Sequence, residues 1–73
     1  MDDFDKETVR KLARNFAKHI PKNLLYDEEE DLKIAAVEQI VNAWHVFAFV
    51  EIYSIFNNEF LTYRYINNGR KQY

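Results

Sequence analysis

A chain of 73 residues makes one small domain, and a domain of that size hides only about 60% of the surface its unfolded chain exposes. Small domains make up the shortfall with disulfides, a metal or association; with no cysteine and only two histidines, His19 and His45, association is the route left. The lack of cysteine also removes thiolate chemistry and Cys-type zinc sites, and a formal net charge of −2 gives no global field to gather DNA or anionic membranes.

The chain opens on Met1, Asp2 and Asp3 rather than on a basic residue and an apolar block, so no secretory leader is expected and the expected location is cytoplasmic. Val9, Leu12, Ala13, Phe16, Ala17 and Ile20 then recur at helical spacing, with Asp2, Asp3 and Asp5 as cap candidates at the positive end. The pattern predicts a first helix over about 5–19. Pro21 disfavours helical geometry at Ile20 and ends it, and 21–26 forms a connector.

Asp27 followed by Glu30 fits an Asp-x-x-Glu capping box, and the acidic run Asp27, Glu28, Glu29, Glu30 and Asp31 suits the positive end of a helix dipole. A second helix is expected from here. Leu32, Ala36, Val37, Ile40, Val41, Ala43, Trp44 and Phe47 would line its apolar face, opposite Asp31, Glu38, Gln39, Asn42 and His45. Beyond residue 45 the polar side disappears, because Val46, Phe49, Tyr53 and Phe56 fall where Glu38 and Asn42 lay. No Gly, Pro or polar cluster between Ala35 and Val46 stops the helix, so it is expected to run over about 28–56. Asn58 could cap a short third helix, about 59–68, ended by Asn67, Asn68 and Gly69.

These expectations give an all-α fold: a helical hairpin with a long second helix and a short C-terminal third helix, completed as a bundle by homodimerisation. The alternative is α+β, two helices and then a β-hairpin at 46–66 turning at Asn57 and Asn58, since 46–56 is rich in β-branched and aromatic residues. The 14-residue apolar run 43–56 carries His45 and Glu51 and is too short for a membrane span, which needs roughly 20 residues, so no membrane role is expected. A 29-residue helix would reach about 43 Å, whereas a globule of this length has a radius of gyration of about 11 Å. Its far half would need cover, and Trp44, Phe47, Phe49, Val50, Tyr53 and Phe56 are the candidate self-association interface.

Lys6, Arg10, Arg14 and Lys18 follow one another at i+4 on helix one and, with Arg64 and Arg70, could contact phosphate or an acidic partner. The ordinary explanation is a solvated helix face. Asp27, Glu28, Glu29, Glu30 and Asp31 could dock a basic partner or simply complement the helix dipole. Glu51 falls within the apolar run, close on the wheel to Val37, Trp44 and Ile55, and reads as a buried carboxylate needing Arg64 or a symmetry-related His45.

His45 with Glu38 and Asn42 offers at most two metal ligands where zinc needs three or four, and no nucleophile, second acid or oxyanion donor accompanies Glu51. No catalytic residue, metal, cofactor or small-molecule substrate is therefore expected, and the chain reads as no enzyme. The expected function is a non-enzymatic protein–protein interaction module, a small helical homodimer acting as adaptor, inhibitor or regulator, of a kind that phages and mobile elements encode. The alternative is a nucleic-acid-binding regulator using the basic face of helix one and the basic C-terminal region.

Overall fold

The computed structural model describes residues 5–21 and 23–72, with side chains as far as Arg64. Three helices account for the fold: α1 (Lys6–His19), α2 (Tyr26–Trp44) and α3 (Phe49–Gln72). No strand occurs among the described residues, and 49–66 is helical throughout, so the hairpin alternative falls.

Asp5 caps α1: its carboxylate accepts the Glu7 N–H at 3.1 Å and the Thr8 hydroxyl at 2.8 Å, which satisfies donors that a helix start leaves open. The Thr8 hydroxyl first, then the Glu7 N–H, hold its pKa below the ordinary value. At the other end Ile20 turns to extended geometry ahead of Pro21. The start of α2 differs from the Asp27 capping box. The cap residue is Leu25, and Glu28 reaches back to accept the Leu25 N–H at 3.2 Å.

The long second helix is also corrected: α2 stops at Trp44. His45 adopts the left-handed conformation, φ 54° and ψ 46°, a region in which histidine is enriched several-fold. Its N–H and that of Val46 both donate to the Val41 carbonyl, the Val46 bond at 3.2 Å. That bond from the residue beyond the left-handed position is the six-to-one closure of a Schellman-type ending. Buried Val46 pins the turn into the core, and Ala48 opens α3 by accepting the Ile52 N–H at 2.9 Å. The third helix is correspondingly long, 24 residues where a short one was expected, and it runs through Gly69 instead of ending there.

This break changes the phase of every residue after it. Ile52, Phe56 and Phe60, spaced by four, turn inward and are buried. Ile52 and Phe56 meet Val9 and Ala13 of α1, Val37 of α2 and Val46 of the turn, while Phe60 lies against the Lys33 ammonium. The apolar surround of 43–56 therefore belongs to two helices with different inner faces. Glu51, expected to be buried, lies outside in the first turn of α3, its side chain half exposed and 3.2 Å from Lys6 Nζ.

α3 is the central element, with α1 and α2 both packed on it. Lys6 meets Glu51 and Phe16 meets Phe56, so α1 runs in the same sense as α3, whereas Lys33 meets Asn57 and Glu29 meets Arg64, so α2 runs against it. Ala13 and Ala17 are small enough to let α1 sit close. Among the described residues no Cα of α1 comes within 8 Å of one in α2. The result is a flattened, elongated body, 46 × 23 × 17 Å, whose radius of gyration of 13.0 Å exceeds the ~11 Å of a compact chain of this length.

Candidate functional site

Two features stand out once the fold is laid down. The first is polar and internal. The inward row of α2 reads Glu29, Lys33, Val37, so the first half of that helix docks on α3 through charge instead of hydrocarbon. Lys33, only 3% exposed, places its ammonium 2.7 Å from Glu30 Oε1 and 2.7 Å from Asn57 Oδ1. The same ammonium stands 5.7 Å from the Tyr53 ring centroid and 5.2 Å from that of Phe60, within cation–π range. The Tyr53 hydroxyl donates to Glu30, and the Arg64 guanidinium meets both carboxylate oxygens of Glu29 while lying 5.5 Å from the Phe60 centroid.

Lys33 first and Tyr53 second hold the Glu30 carboxyl below the usual carboxylate range. Tyr53 is displaced the other way, to about 12, because its proton is tied to Glu30 and burial adds to the effect. The pair thus stays ionised on one side and neutral on the other near pH 7. No buried side-chain nitrogen or oxygen among the described residues lacks a hydrogen-bond partner. Such mutual satisfaction makes the cluster a clasp between α2 and α3. Two of the five acidic docking candidates, Glu29 and Glu30, are consumed in it; Asp27, Glu28 and Asp31 remain exposed.

The second feature is apolar and external. Phe47, in the turn between α2 and α3, is fully exposed, and Val50 in the first turn of α3 is 80% exposed. Beside them Val41, Val46, Ala48, Phe49 and Ser54 line an open recess. Further along the outer side of α3 come Ser54, Asn58 and Leu61, the last 54% exposed. Val50, Ser54, Asn58 and Leu61 are separated by four, four and three residues, which keeps them on one uncharged stripe.

The other members of the expected self-association interface have internal work. Phe56 is buried in the core, Trp44 is half-buried beside it, and Phe49 stacks on Tyr53 with centroids 6.2 Å apart and planes at 7°. The break at His45 explains this, since a wheel drawn through it superposes inner and outer faces.

The basic candidates divide as well. Lys6 is engaged by Glu51 and Arg64 by Glu29. Arg10 and Arg14 lie 3.9 and 3.8 Å from Glu7, all three side chains about half exposed, and Lys18 is exposed. The Arg70 side chain lies outside the described residues. Among the described residues no three His, Asp or Glu side chains gather as a metal-binding group, and no helix is long and apolar enough to cross a membrane. Sequence reasoning missed the Glu29–Lys33 row, although two charged residues four apart beside Val37 could have signalled it. Comparison with protein-family models, curated proteins and solved structures yields no match, so the outer face of α3 is assigned on its own chemistry.

Proposed function

We propose that this chain is a non-enzymatic protein–protein interaction module that works as a homodimer and acts on another macromolecule as an adaptor, inhibitor or regulator. Its contact surface is the α2–α3 corner and the outer stripe of α3. The observation that carries this reading is the pairing of a fully exposed Phe47 and an 80% exposed Val50 with an apolar recess. Covering a large apolar side chain is worth about 1.5–3 kcal/mol, and an exposed aromatic beside a recess has the makeup of an interface anchor. The polar cluster supports the same reading, because its groups are spent on one another. The nucleic-acid alternative is weakened by the engagement of Lys6 and Arg64 with carboxylates.

Sedimentation equilibrium tests it. The chain is expected to weigh twice its 8.8 kDa at micromolar concentration, and Phe47→Ser with Val50→Ser is expected to weigh 8.8 kDa with undiminished helical circular dichroism. A wild-type chain that remains at 8.8 kDa overturns the reading.

A further inference from the structure

The charge of this chain is sorted by helix. α1 holds Lys6, Arg10, Lys11, Arg14 and Lys18 against the single carboxylate Glu7, whereas α2 holds six carboxylates against the single Lys33. Oppositely charged helices of one chain ordinarily neutralise each other. Here they do not: no ion pair joins α1 to α2 among the described residues, and no Cα of one comes within 8 Å of a Cα of the other.

The positions of these charges relative to the apolar stripe are set by contacts. Lys6 reaches Glu51, which sits beside Val50 and lines the same recess, so the Lys6, Arg10 and Arg14 row borders the outer stripe of α3 on one side. Val41 of α2 lines that recess from the other side. Val41 shares its flank of α2 with Ile34, at i−7, and with Glu38, at i−3; Asp27 and Asp31 continue the same edge. Ile34, Glu38, Asp27 and Asp31 are all exposed. Across the molecule the face therefore reads basic, apolar, acidic.

We propose that this face docks a second copy of the chain about a two-fold axis parallel to α3, so that the α3 helices run in the same sense. This rests on the self-association proposed above and specifies its geometry. Such an axis exchanges the two edges, setting Arg10 and Arg14 of each copy against Asp31 and Glu38 of the other. Val50 meets Val50, Leu61 meets Leu61, and Asn58 falls near the seam, where a polar residue fixes register in paired helices. The antiparallel two-fold alternative stacks α1 on α1 and α2 on α2, placing like charges together at both edges.

Two charge-reversed chains test the geometry. Arg10→Glu with Arg14→Glu makes both edges acidic, and Asp31→Lys with Glu38→Lys makes both basic. Each alone is expected to self-associate about 100-fold more weakly than wild type, since four exposed contacts turn from attraction to repulsion. An equimolar mixture is expected to regain a dimer of one copy each, weakened by salt. Because the chain has no cysteine, Leu61→Cys reports orientation directly. Parallel α3 helices bring the two thiols together, and mild oxidation yields a covalent dimer. An antiparallel pairing that sets Val50 on Leu61 holds them about 16 Å apart, beyond disulfide reach.

A wild-type dimer whose reversed variants dimerise equally well, whose mixture stays monomeric, or whose Leu61→Cys chain does not cross-link overturns the parallel geometry and leaves self-association standing. A monomeric wild type overturns both.

Discussion

Replacing Lys33 by Met probes whether charge holds α2 to α3. Met nearly preserves the volume and keeps contact with the Phe60 and Tyr53 rings, but removes an ammonium that is 3% exposed and 2.7 Å from both Glu30 and Asn57. Breaking a buried ion pair from one side costs about 3–5 kcal/mol. The Glu30 side chain is 27% exposed and keeps the Tyr53 hydroxyl, so water recovers part of that, leaving an expected loss of about 2–3 kcal/mol. For a domain of this size that lowers the melting temperature by roughly 10–20 °C. Urea unfolding followed by circular dichroism measures it. Adding Glu30→Gln is expected to restore at least about 1 kcal/mol, since an amide can donate to Asn57 and accept from Tyr53 without an unpaired charge. In acid the gap between wild type and Lys33→Met should narrow. Glu30 has a depressed folded pKa, so its stabilisation is present above the unfolded carboxyl value and is lost as pH falls through the folded one. A Lys33→Met chain as stable as wild type at neutral pH would refute the clasp.

Two further outcomes follow from the turn and from Tyr53. His45→Gly removes the penalty on a Cβ at φ 54° and is expected to stabilise the fold by about 0.5–1 kcal/mol in the same urea assay, whereas a β-branched residue there should destabilise it; a destabilising glycine would mean that the His45 side chain makes contacts outweighing its backbone strain. Tyr53 should ionise at about 12 while its proton is held by Glu30, so ultraviolet titration should show one tyrosine ionising late. Because the folded pKa is raised, this stabilisation is complete below about pH 10 and is lost as pH rises toward 12. Glu30→Gln should bring Tyr53 back down, and an unmoved titration would detach it from Glu30.

The helical class and the limits of α1 were legible because they rest on local chemistry: Asp5 supplies a cap oxygen, Val9, Ala13 and Ala17 recur by four, and Pro21 forbids continuation. The ending of α2 was not. It depends on a left-handed residue, and histidine gives a far weaker signal for that conformation than glycine. The misplaced faces of 46–56 descend from this one backbone position. Carrying the phase of α2 past His45 moved Glu51 inward, put the inner residue Phe56 on an exposed face, and made 43–56 look apolar on all sides. The clasp was hidden for another reason: a buried Lys33 is credible only when a partner from α3 is in place, and Asn57 lies 24 residues away.

The case for association changes its basis accordingly. A continuous helix of about 43 Å would have demanded cover for its whole far half, but the turn folds α3 back and lets the chain bury Ile52, Phe56 and Phe60 by itself. Leu12, Leu25, Tyr26, Leu32 and Ile34 are exposed on the other two helices and the connector before α2, and what remains outside on α3 and the turn that leads into it is Phe47, Val50 and Leu61. Single exposed apolar residues are ordinary on protein surfaces. Here Val50 and Leu61 share a stripe with no charge between them, and Phe47 lines the recess at its start, so that a chain of 30% charged residues offers one apolar strip for the proposed contact. In the proposed dimer the flanking edges decide orientation, since apolar contact alone is indifferent to the direction of the partner helix whereas Arg10 and Arg14 set opposite Asp31 and Glu38 would not be. Affinity is thus assigned to the stripe and geometry to the edges, and the two separate experimentally: serine at Phe47 and Val50 should abolish the dimer at any ionic strength, while charge reversal should act strongly at low salt and fade as salt screens the edges.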